Sequence, residues 1–198
     1  MKKLSVVIPA YNEEKRITAT LKNVDGYLEK QPYDYEIIVI DNNSKDRTSE
    51  VVKELEATVV QKSTVKLVTT PGKGAAVKEG LLKYCTGDIV MFMDADNATP
   101  ISEIEKFLPF FDQGYDVVIG SRYTEPDLVK VHQPLYRIVL SRMSNLLIQF
   151  LAVPGIKDTQ LGFKAFTADA AKSIFPLVTI IRWGFDMEVL TVARAKGY

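Results

Sequence analysis

Three largely apolar runs, each followed by polar residues and then by a helical pattern, constrain the fold of this chain more than any other feature. The runs are Leu4–Pro9, Tyr35–Ile40 and Ile89–Met93. Such runs are typical of strands that are buried on both faces of a parallel sheet. Strands that alternate with helices are joined by right-handed crossovers. The sequence therefore predicts an α/β fold with a mostly parallel sheet flanked by helices.

The remaining pattern predicts further strands and helices around this sheet. Asn12 is expected to cap the first helix, with Glu13 and Glu14 in its first turn. The stretch from Gly155 to Lys164 is too polar and too marked by glycine to be placed in the core. The other predicted elements are the strands Val65–Val68 and Asp116–Ile119 and the helices Lys45–Glu56, Ala75–Tyr84, Ile101–Phe111, Pro134–Ala152, Ala168–Ile174 and Phe185–Ala195.

Length and composition favour a single domain and exclude several classes of protein. The 198 residues fit one domain, and 25 basic residues balance 25 acidic ones, so nothing indicates a nucleic-acid partner. The single Cys85 cannot form an internal disulfide, and no spacing of cysteine or histidine indicates zinc. The apolar stretch after Met1 is too short to predict a signal peptide, and no run predicts a spanning helix. The helix-stop residues Lys196–Tyr198, with no closing strand, suggest that the domain is truncated at its C-terminal end.

Polar and acidic residues follow each of the three long predicted strands, in the segments PAYNEE, DNNSKD and DADN. The carboxyl ends of parallel strands meet at one edge of a sheet, where open α/β folds bind ligands. Asp94 and Asp96 offer carboxylate oxygens that suit Mg²⁺ or Mn²⁺, although aspartates are also common in turns. Gly72-Lys73-Gly74 fits either a phosphate-binding loop or a simple turn. The chain lacks GxGxxG after its first strand and lacks GxxxxGK[ST], which excludes a dehydrogenase and a P-loop enzyme.

The predicted helix Pro134–Ala152 has two interpretations. Its apolar residues are widely spread, and Arg137 and Arg142 lie along its length. A core helix explains this pattern, and so does a helix that lies in a membrane surface with its arginines at the headgroups. His132, the single histidine, lies just before the helix in a polar loop, which favours a solvated role over catalysis.

Seven motifs in a fixed order resemble the family 2 glycosyltransferases with the GT-A fold, whose mostly parallel sheet is Rossmann-like. The motifs are VVIPAYNEE, IVIDNNSKD, GKGAA, MDADN, GSRY, DTQLGFKAF and RWGFDMEVL, and the likeness runs from Leu4 to Tyr198. Within the family, the chain is similar to the polyprenyl-phosphate sugar synthases, especially the dolichyl-phosphate β-glucosyltransferases. The QxxRW motif of polysaccharide synthases is absent. The resemblance implies inverting transfer of a hexose from a nucleotide sugar to a polyprenyl or dolichyl phosphate, by an enzyme associated with the cytoplasmic side of a membrane.

The resemblance also implies roles for particular residues. The nucleotide sugar, expected to be UDP-glucose with GDP-mannose as the alternative, would contact Pro9, Tyr11, Glu13, Asp41, Lys73, Asp94, Ala95 and Asp96. Asp94 and Asp96 would hold Mg²⁺ or Mn²⁺, and the phosphates of donor or acceptor would meet Arg122, Gln160, Lys164 and Arg182. The catalytic residues implied are Asp96, Arg122, Asp158 and Lys164. The family usually has Asp-Asp-x-Ser where this chain has Asp41-Asn42-Asn43-Ser44, so no second carboxylate is expected there.

A lipid-phosphate acceptor would not require a side chain that acts as a strong base. The second pKa of a phosphate monoester is about 6, so the acceptor is largely ionised at neutral pH and needs no strong base. Asp158 would then orient the acceptor or cap a turn. A soluble or polysaccharide acceptor would instead need Asp158 as a base, and a non-catalytic module that binds nucleotide sugars is a third interpretation. A membrane acceptor favours the interfacial role for Pro134–Ala152. Trp183 and Phe185 fit packing or acceptor contact equally, whereas Tyr123 is expected to pack.

Overall fold

The computed structural model describes residues 3–58, 63–67, 70–122, 153–156 and 158–198. Tyr123, His132 and the predicted helix Pro134–Ala152 lie outside the described residues, so their predicted roles stay predictions. Within the described ranges, no helix has both the length and the apolar character needed to cross a membrane.

The described strands form one six-stranded sheet in the order β3-β2-β1-β4-β6-β5. The strands are β1 (Lys3–Ala10), β2 (Asp34–Asp41), β3 (Ser63–Leu67), β4 (Ile89–Met93), β5 (Val117–Ile119) and β6 (Phe163–Thr167). Strand β1 pairs in parallel with β2 and β4, and β2 pairs in parallel with β3. Strand β6 runs antiparallel to its neighbours β4 and β5. The prediction of an α/β fold with a mostly parallel sheet is confirmed.

Strand β6 is the main element that the sequence pattern did not predict. Phe163, Lys164, Ala165 and Phe166 are all buried in it, although the segment ending at Lys164 was expected to be too polar for the core. The lysine interrupts the apolar pattern, and its burial depends on a partner far along the chain. The expectation for this part of the segment was wrong.

Helices cover both faces of the sheet. They are α1 (Ile17–Leu28), α2 (Thr48–Thr58), α3 (Lys73–Glu79) with a π-helical turn (Gly80–Tyr84), a 3-10 turn (Ile101–Lys106), α4 (Leu108–Asp112), α5 (Ala168–Ile174) with a 3-10 turn (Phe175–Leu177), and α6 (Phe185–Ala195). The predicted bounds of α5 and α6 are confirmed. The predicted helix Ile101–Phe111 is instead divided, because Pro109 lacks the N–H that a continuous helix would need at that position.

The start of α1 corrects the prediction that Asn12 caps this helix. The helix begins only at Ile17, and Asn12 adopts a left-handed conformation with φ of 56°. Its backbone N–H donates to Ser44 Oγ at 2.9 Å, and its side-chain Oδ1 accepts from Lys45 N at 2.8 Å. Asn12 therefore ties the loop after β1 to the loop after β2.

The core lies in two layers, one on each face of the sheet. Leu4, Val6 and Ile8 pack with side chains from α1 and α2 on one face. Val7 and Phe92 pack with side chains from α3, α5 and α6 on the other face. This alternation follows from the two-residue period of a strand, in which successive side chains point to opposite faces of the sheet.

The register of the sheet brings several loops to one edge. Ala10 pairs with Asp41 at the carboxyl ends of β1 and β2. Met93, at the carboxyl end of β4, pairs with Phe163 at the start of the antiparallel β6. The 158–162 turn therefore enters the sheet at the same edge where β1, β2 and β4 end, and this edge is where open α/β sheets bind ligands.

Candidate functional site

A cleft of about 620 Å³ opens at this edge of the sheet. Its lining contains residues from the loops after β1, β2 and β4, the start of α3 and the segment before α6. The lining residues that the sequence predicted to meet the nucleotide sugar or a phosphate are Pro9, Tyr11, Glu13, Lys73, Asp94, Ala95, Asp96 and Arg182. Asn42, Lys45 and Trp183 also line it, although no ligand role was assigned to the first two. The structure thus brings most of the predicted donor residues together in one cavity.

Asp41 lies beside this cleft and is not among its lining residues. Its side chain is buried, Oδ1 accepts from Ser44 N at 2.9 Å, and Oδ2 accepts from Ser49 Oγ. A carboxylate with these partners organises the loop between β2 and α2. The contact of Asp41 with the nucleotide sugar stays a prediction.

Asn42 connects the end of β2 to the turn before α3. Its Nδ2 donates to the Thr70 carbonyl at 2.7 Å, and its Oδ1 accepts from Gly72 N at 2.6 Å. An ionised aspartate has only acceptors and could satisfy one of these two partners. This is a physical reason for an asparagine at the position where the family usually has its second aspartate.

Lys73 and Asp94, which both line the cleft, form an ion pair, with Lys73 Nζ 2.5 Å from Asp94 Oδ1. Gly162 leaves the space that the Asp94 carboxylate fills, because a Cβ at this glycine would overlap both carboxylate oxygens. Asp96 is exposed, and its Oδ1 accepts from Ala98 N at 3.0 Å. The two aspartates therefore present free oxygen lone pairs to the same cavity.

The donor set of this cleft fits a hard divalent cation. Mg²⁺ and Mn²⁺ commonly bind through one or two carboxylates and complete their coordination with water and substrate phosphates. The described residues contain no cluster of three or more His, Cys, Asp or Glu side chains that could enclose a metal without a substrate. Asn97 adds one unsatisfied group to this turn, since its buried Oδ1 has no hydrogen-bond partner among the described residues. The Asp94–Asp96 pair is thus suited to a metal that arrives with a diphosphate.

Asp158 is held in a bidentate ion pair by Arg122. Arg122 Nε lies 2.8 Å from Oδ2 and Nη2 lies 3.0 Å from Oδ1, while the backbone N–H groups of Arg122, Gln160 and Leu161 also donate to this carboxylate. Burial raises the pKa of Asp158, but the hydrogen bonds from Arg122 and the backbone outweigh burial and lower it overall. A carboxylate with this pKa and these partners caps the turn and is a poor base.

Lys164 is fully buried and directed into the protein. Its Nζ lies 2.6 Å from the Leu161 carbonyl and 2.9 Å from Asp186 Oδ1, and the Phe92 ring centroid is 5.6 Å away. Burial lowers the pKa of Lys164 and raises that of Asp186, and the attraction between the two groups opposes both shifts. The prediction that Lys164 faces a phosphate is not supported, because its ammonium has no exposed surface.

Two aromatic residues near the start of α6, whose roles the sequence left open, have different surroundings in the structure. Trp183 is 85% exposed and lines the cleft beside Arg182. Phe185 is buried, with its ring centroid 5.6 Å from that of Phe92. Phe185 is therefore a packing residue, whereas Trp183 is available to a ligand. Gln160 is exposed but lies outside the cleft lining.

Asp186 is the structurally important residue that sequence reasoning missed. It is buried at the start of α6, where it pairs with Lys164. Its position in RWGFD gave one signal, because a carboxylate inside an apolar helix pattern needs a partner. The partner lies 22 residues earlier in the chain, in an element that was not predicted.

The chain is similar in sequence to a known protein family and to several curated proteins. The sequence profile described as Glycosyl transferase family 2 matches residues 5–175 of the chain. The chain belongs to glycosyl transferase family 2. This family 2 chain is 40% identical over 208 residues to dolichyl-phosphate beta-glucosyltransferase ALG5D of Trichomonas vaginalis, covering 98% of the chain and 62% of that relative. It is 36% identical over 207 residues to human dolichyl-phosphate beta-glucosyltransferase, covering 98% of the chain and 63% of the human protein.

A solved structure supports the fold of the family 2 chain. Glucosyl-3-phosphoglycerate synthase from Mycobacterium tuberculosis, in complex with Mn²⁺, UDP-glucose and phosphoglyceric acid, matches with a TM-score of 0.62 and 22% identity. The match covers 96% of this chain and 64% of that one. The family 2 resemblance and the GT-A fold that it implied are both confirmed. The chain spans less than two thirds of the length of the two curated relatives.

Proposed function

We propose that this family 2 chain transfers glucose, with inversion, from UDP-glucose to a polyprenyl or dolichyl phosphate at the surface of a membrane. The observation that carries the proposal is that Asp94, Asp96, Lys73 and Arg182 line the same cleft. Carboxylates that bind metal and cations that bind phosphate are both required when two phosphorylated substrates meet. The names of the relatives supply the choice of acceptor and sugar.

The donor side of the cleft is suited to a nucleotide diphosphate. Pro9, Tyr11 and Glu13 line the part formed by the loop after β1. Mg²⁺ or Mn²⁺ held by Asp94 and Asp96 would offset the negative charge that grows on the leaving diphosphate. Lys73, paired with Asp94, adds a second positive charge at that position. These residues bind and orient the leaving group, and none of them needs to transfer a proton.

The acceptor side of the cleft needs cations and no base. An oxygen of the acceptor phosphate attacks the anomeric carbon, and the bond from that carbon to the β-phosphate oxygen breaks with its electron pair leaving on UDP. Because the acceptor is already largely ionised at neutral pH, no side chain must remove a proton. Arg182, which lines the cleft, would contact the acceptor phosphate. A direct displacement converts an α-linked donor into a β-linked product.

The test is incubation of the protein with polyprenyl phosphate, Mg²⁺ or Mn²⁺ and a panel of UDP- and GDP-sugars, followed by analysis of extracted glycolipid. We expect a β-linked glucolipid from UDP-glucose, none from polyprenol, and a rate about 10²–10³-fold lower for Asp96→Asn, as for loss of one group that stabilises the leaving charge. A preference for GDP-mannose would correct the sugar. An α-linked product, a covalent sugar–enzyme species or binding of donor without transfer would contradict the proposal.

A further inference from the structure

Four large apolar side chains are exposed within seven residues of the chain, between α5 and α6. Leu177, Ile180, Ile181 and Trp183, here called the apolar rim, are between 41% and 85% exposed. Single exposed apolar residues are normal, but a group of them marks a surface that contacts an apolar partner. The apolar rim therefore requires an explanation beyond packing.

The backbone that carries the apolar rim is held from the protein side. The Glu188 carboxylate accepts from Thr179 N and Ile180 N at 2.9 and 2.7 Å and from Thr179 Oγ1 at 2.7 Å. Partial burial raises the pKa of Glu188, but these hydrogen bonds outweigh it and lower the pKa overall, so the carboxylate is ionised at neutral pH. Lys78 Nζ donates to the carbonyls of Pro176 and Val178 at 3.2 and 2.8 Å. These hydrogen bonds thus hold the backbone of the loop in place, while its apolar side chains remain exposed to solvent.

The apolar rim also lies at the mouth of the cleft. Ala75 N donates to the Ile181 carbonyl at 3.0 Å, which joins this loop to the start of α3. Gly72 and Gly74 permit the close approach, because a Cβ on either would overlap the carbonyl of Ile181 or Ile180. Arg182 and Trp183 line the cleft itself. A cation for a phosphate and a set of exposed apolar side chains are therefore adjacent along one loop.

We infer that the apolar rim is a docking surface for a lipid bilayer, with Arg182 at the level of the lipid phosphates. This inference rests on the proposed function, in which the acceptor phosphate enters the cleft while its isoprenoid tail stays in the membrane. The mouth of the cleft must then face the bilayer. Tryptophan and arginine are suited to this boundary, because each combines an apolar body with a polar end. Isoleucine and leucine beside them supply the apolar area that binding needs.

The experiment measures sedimentation of the protein with phosphatidylcholine vesicles, with and without phosphatidylserine. The test variant is Leu177→Ser/Ile180→Ser, which leaves the cleft lining intact. The matched control is Phe110→Ser/Tyr115→Ser, which alters two exposed aromatic residues (44% and 56%) that precede β5 and do not line the cleft. We expect vesicle binding to fall at least about tenfold for the test variant, since removing buried apolar surface weakens binding, and to change less than about twofold for the control.

A second measurement separates this inference from the proposed function. Transfer of glucose to a short-chain, water-soluble polyprenyl phosphate needs the cleft but no bilayer, so both variants should retain it. Failure of the wild-type protein in this assay would count against the proposed function, and the vesicle result would still report on the surface. Equal vesicle binding by the test variant and the wild type would overturn the inference. So would a wild-type protein that does not bind vesicles, or a self-association that the test variant abolishes.

Discussion

The cleft and the 158–164 segment beside it use their charged residues in opposite ways. In the cleft, Lys73, Asp94 and Asp96 face the cavity. In the 158–164 segment, Asp158 and Lys164 are buried and bound to other parts of the protein. Both sets lie in motifs that resemble the family, so a motif alone does not distinguish a ligand from a support. The 158–164 segment therefore supports the cleft, because Gly162 leaves the space that the Asp94 carboxylate fills. We propose that the exposed Arg182 contacts the acceptor phosphate.

The largest expected effect concerns the buried Lys164–Asp186 pair. Lys164→Met leaves an unpaired buried carboxylate, which should lower the free energy of unfolding by about 3–5 kcal/mol. Lys164→Met/Asp186→Leu should recover most of this loss, because it removes both charges. Urea unfolding measures both values. Lys172→Met, at an exposed lysine of α5, is the control and should change stability by less than about 0.5 kcal/mol.

The same variants test whether Lys164 binds a ligand or supports the fold. If Lys164 contacts a phosphate, the double variant will fold and yet fail to bind donor or to transfer sugar. If Lys164 supports the Leu161 turn, the stability of the double variant and its affinity for UDP-glucose will recover together.

A second effect concerns the space beside Asp94. Gly162→Ala should displace the Asp94 carboxylate, cost about 1–3 kcal/mol of stability through overpacking, and weaken the metal-dependent binding of UDP-glucose. Isothermal titration calorimetry with and without Mn²⁺ measures the affinity. Gly26→Ala, in α1 with nothing within 4 Å of the added Cβ, is the control. It should preserve affinity and stabilise the helix by up to about 1 kcal/mol. Unchanged donor affinity in Gly162→Ala would show that the 158–162 turn does not influence the proposed metal-binding aspartates.

A third effect, expected to be similar in size to that of Gly162→Ala, concerns Asn42. Asn42→Asp restores the usual family pattern but removes the donor to the Thr70 carbonyl, which should cost about 1–3 kcal/mol. Urea unfolding measures the loss, and hydrogen exchange should show it concentrated around Gly72. Asn23→Asp, on the exposed side of α1, serves as the control. Tighter donor binding without loss of stability in Asn42→Asp would mean that the position acts as a ligand.

The parallel half of the fold was predictable because its signals are local. β1, β2 and β4 are apolar runs followed by polar residues, and this local pattern predicts a buried strand. The bounds of α5 were predicted as well, and its cap is local, since Thr167 Oγ1 accepts from Ala170 N at 3.3 Å. In the same way, the strand-end segments indicated which side chains would gather in the cleft.

In the antiparallel part of the sheet, β5 was predicted, but β6 was not, because its stability depends on distant partners. β6 contains Lys164, whose burial depends on Asp186 and on the Phe92 ring. The sequence left two roles open for Asp158, orienting the acceptor or capping a turn, and its pairing with Arg122, 36 residues away, favours the structural role. The orientation of a charged side chain in a turn is set by tertiary contacts, so the pattern could place these residues near the site but could not give their direction.

The central claim is that the acceptor phosphate is the nucleophile and that no side chain acts as a base. Its most direct test is the pH dependence of kcat/KM for transfer to polyprenyl phosphate, measured for the wild type and for Asp158→Asn. The lowered pKa of Asp158 keeps it ionised throughout the range from pH 5 to 8, so its own titration should not appear there. We predict that both proteins lose activity below about pH 6 with the same midpoint, because the acceptor phosphate gains a proton there. An Asp158→Asn protein that folds and binds UDP-glucose but transfers no sugar at any pH would contradict the claim.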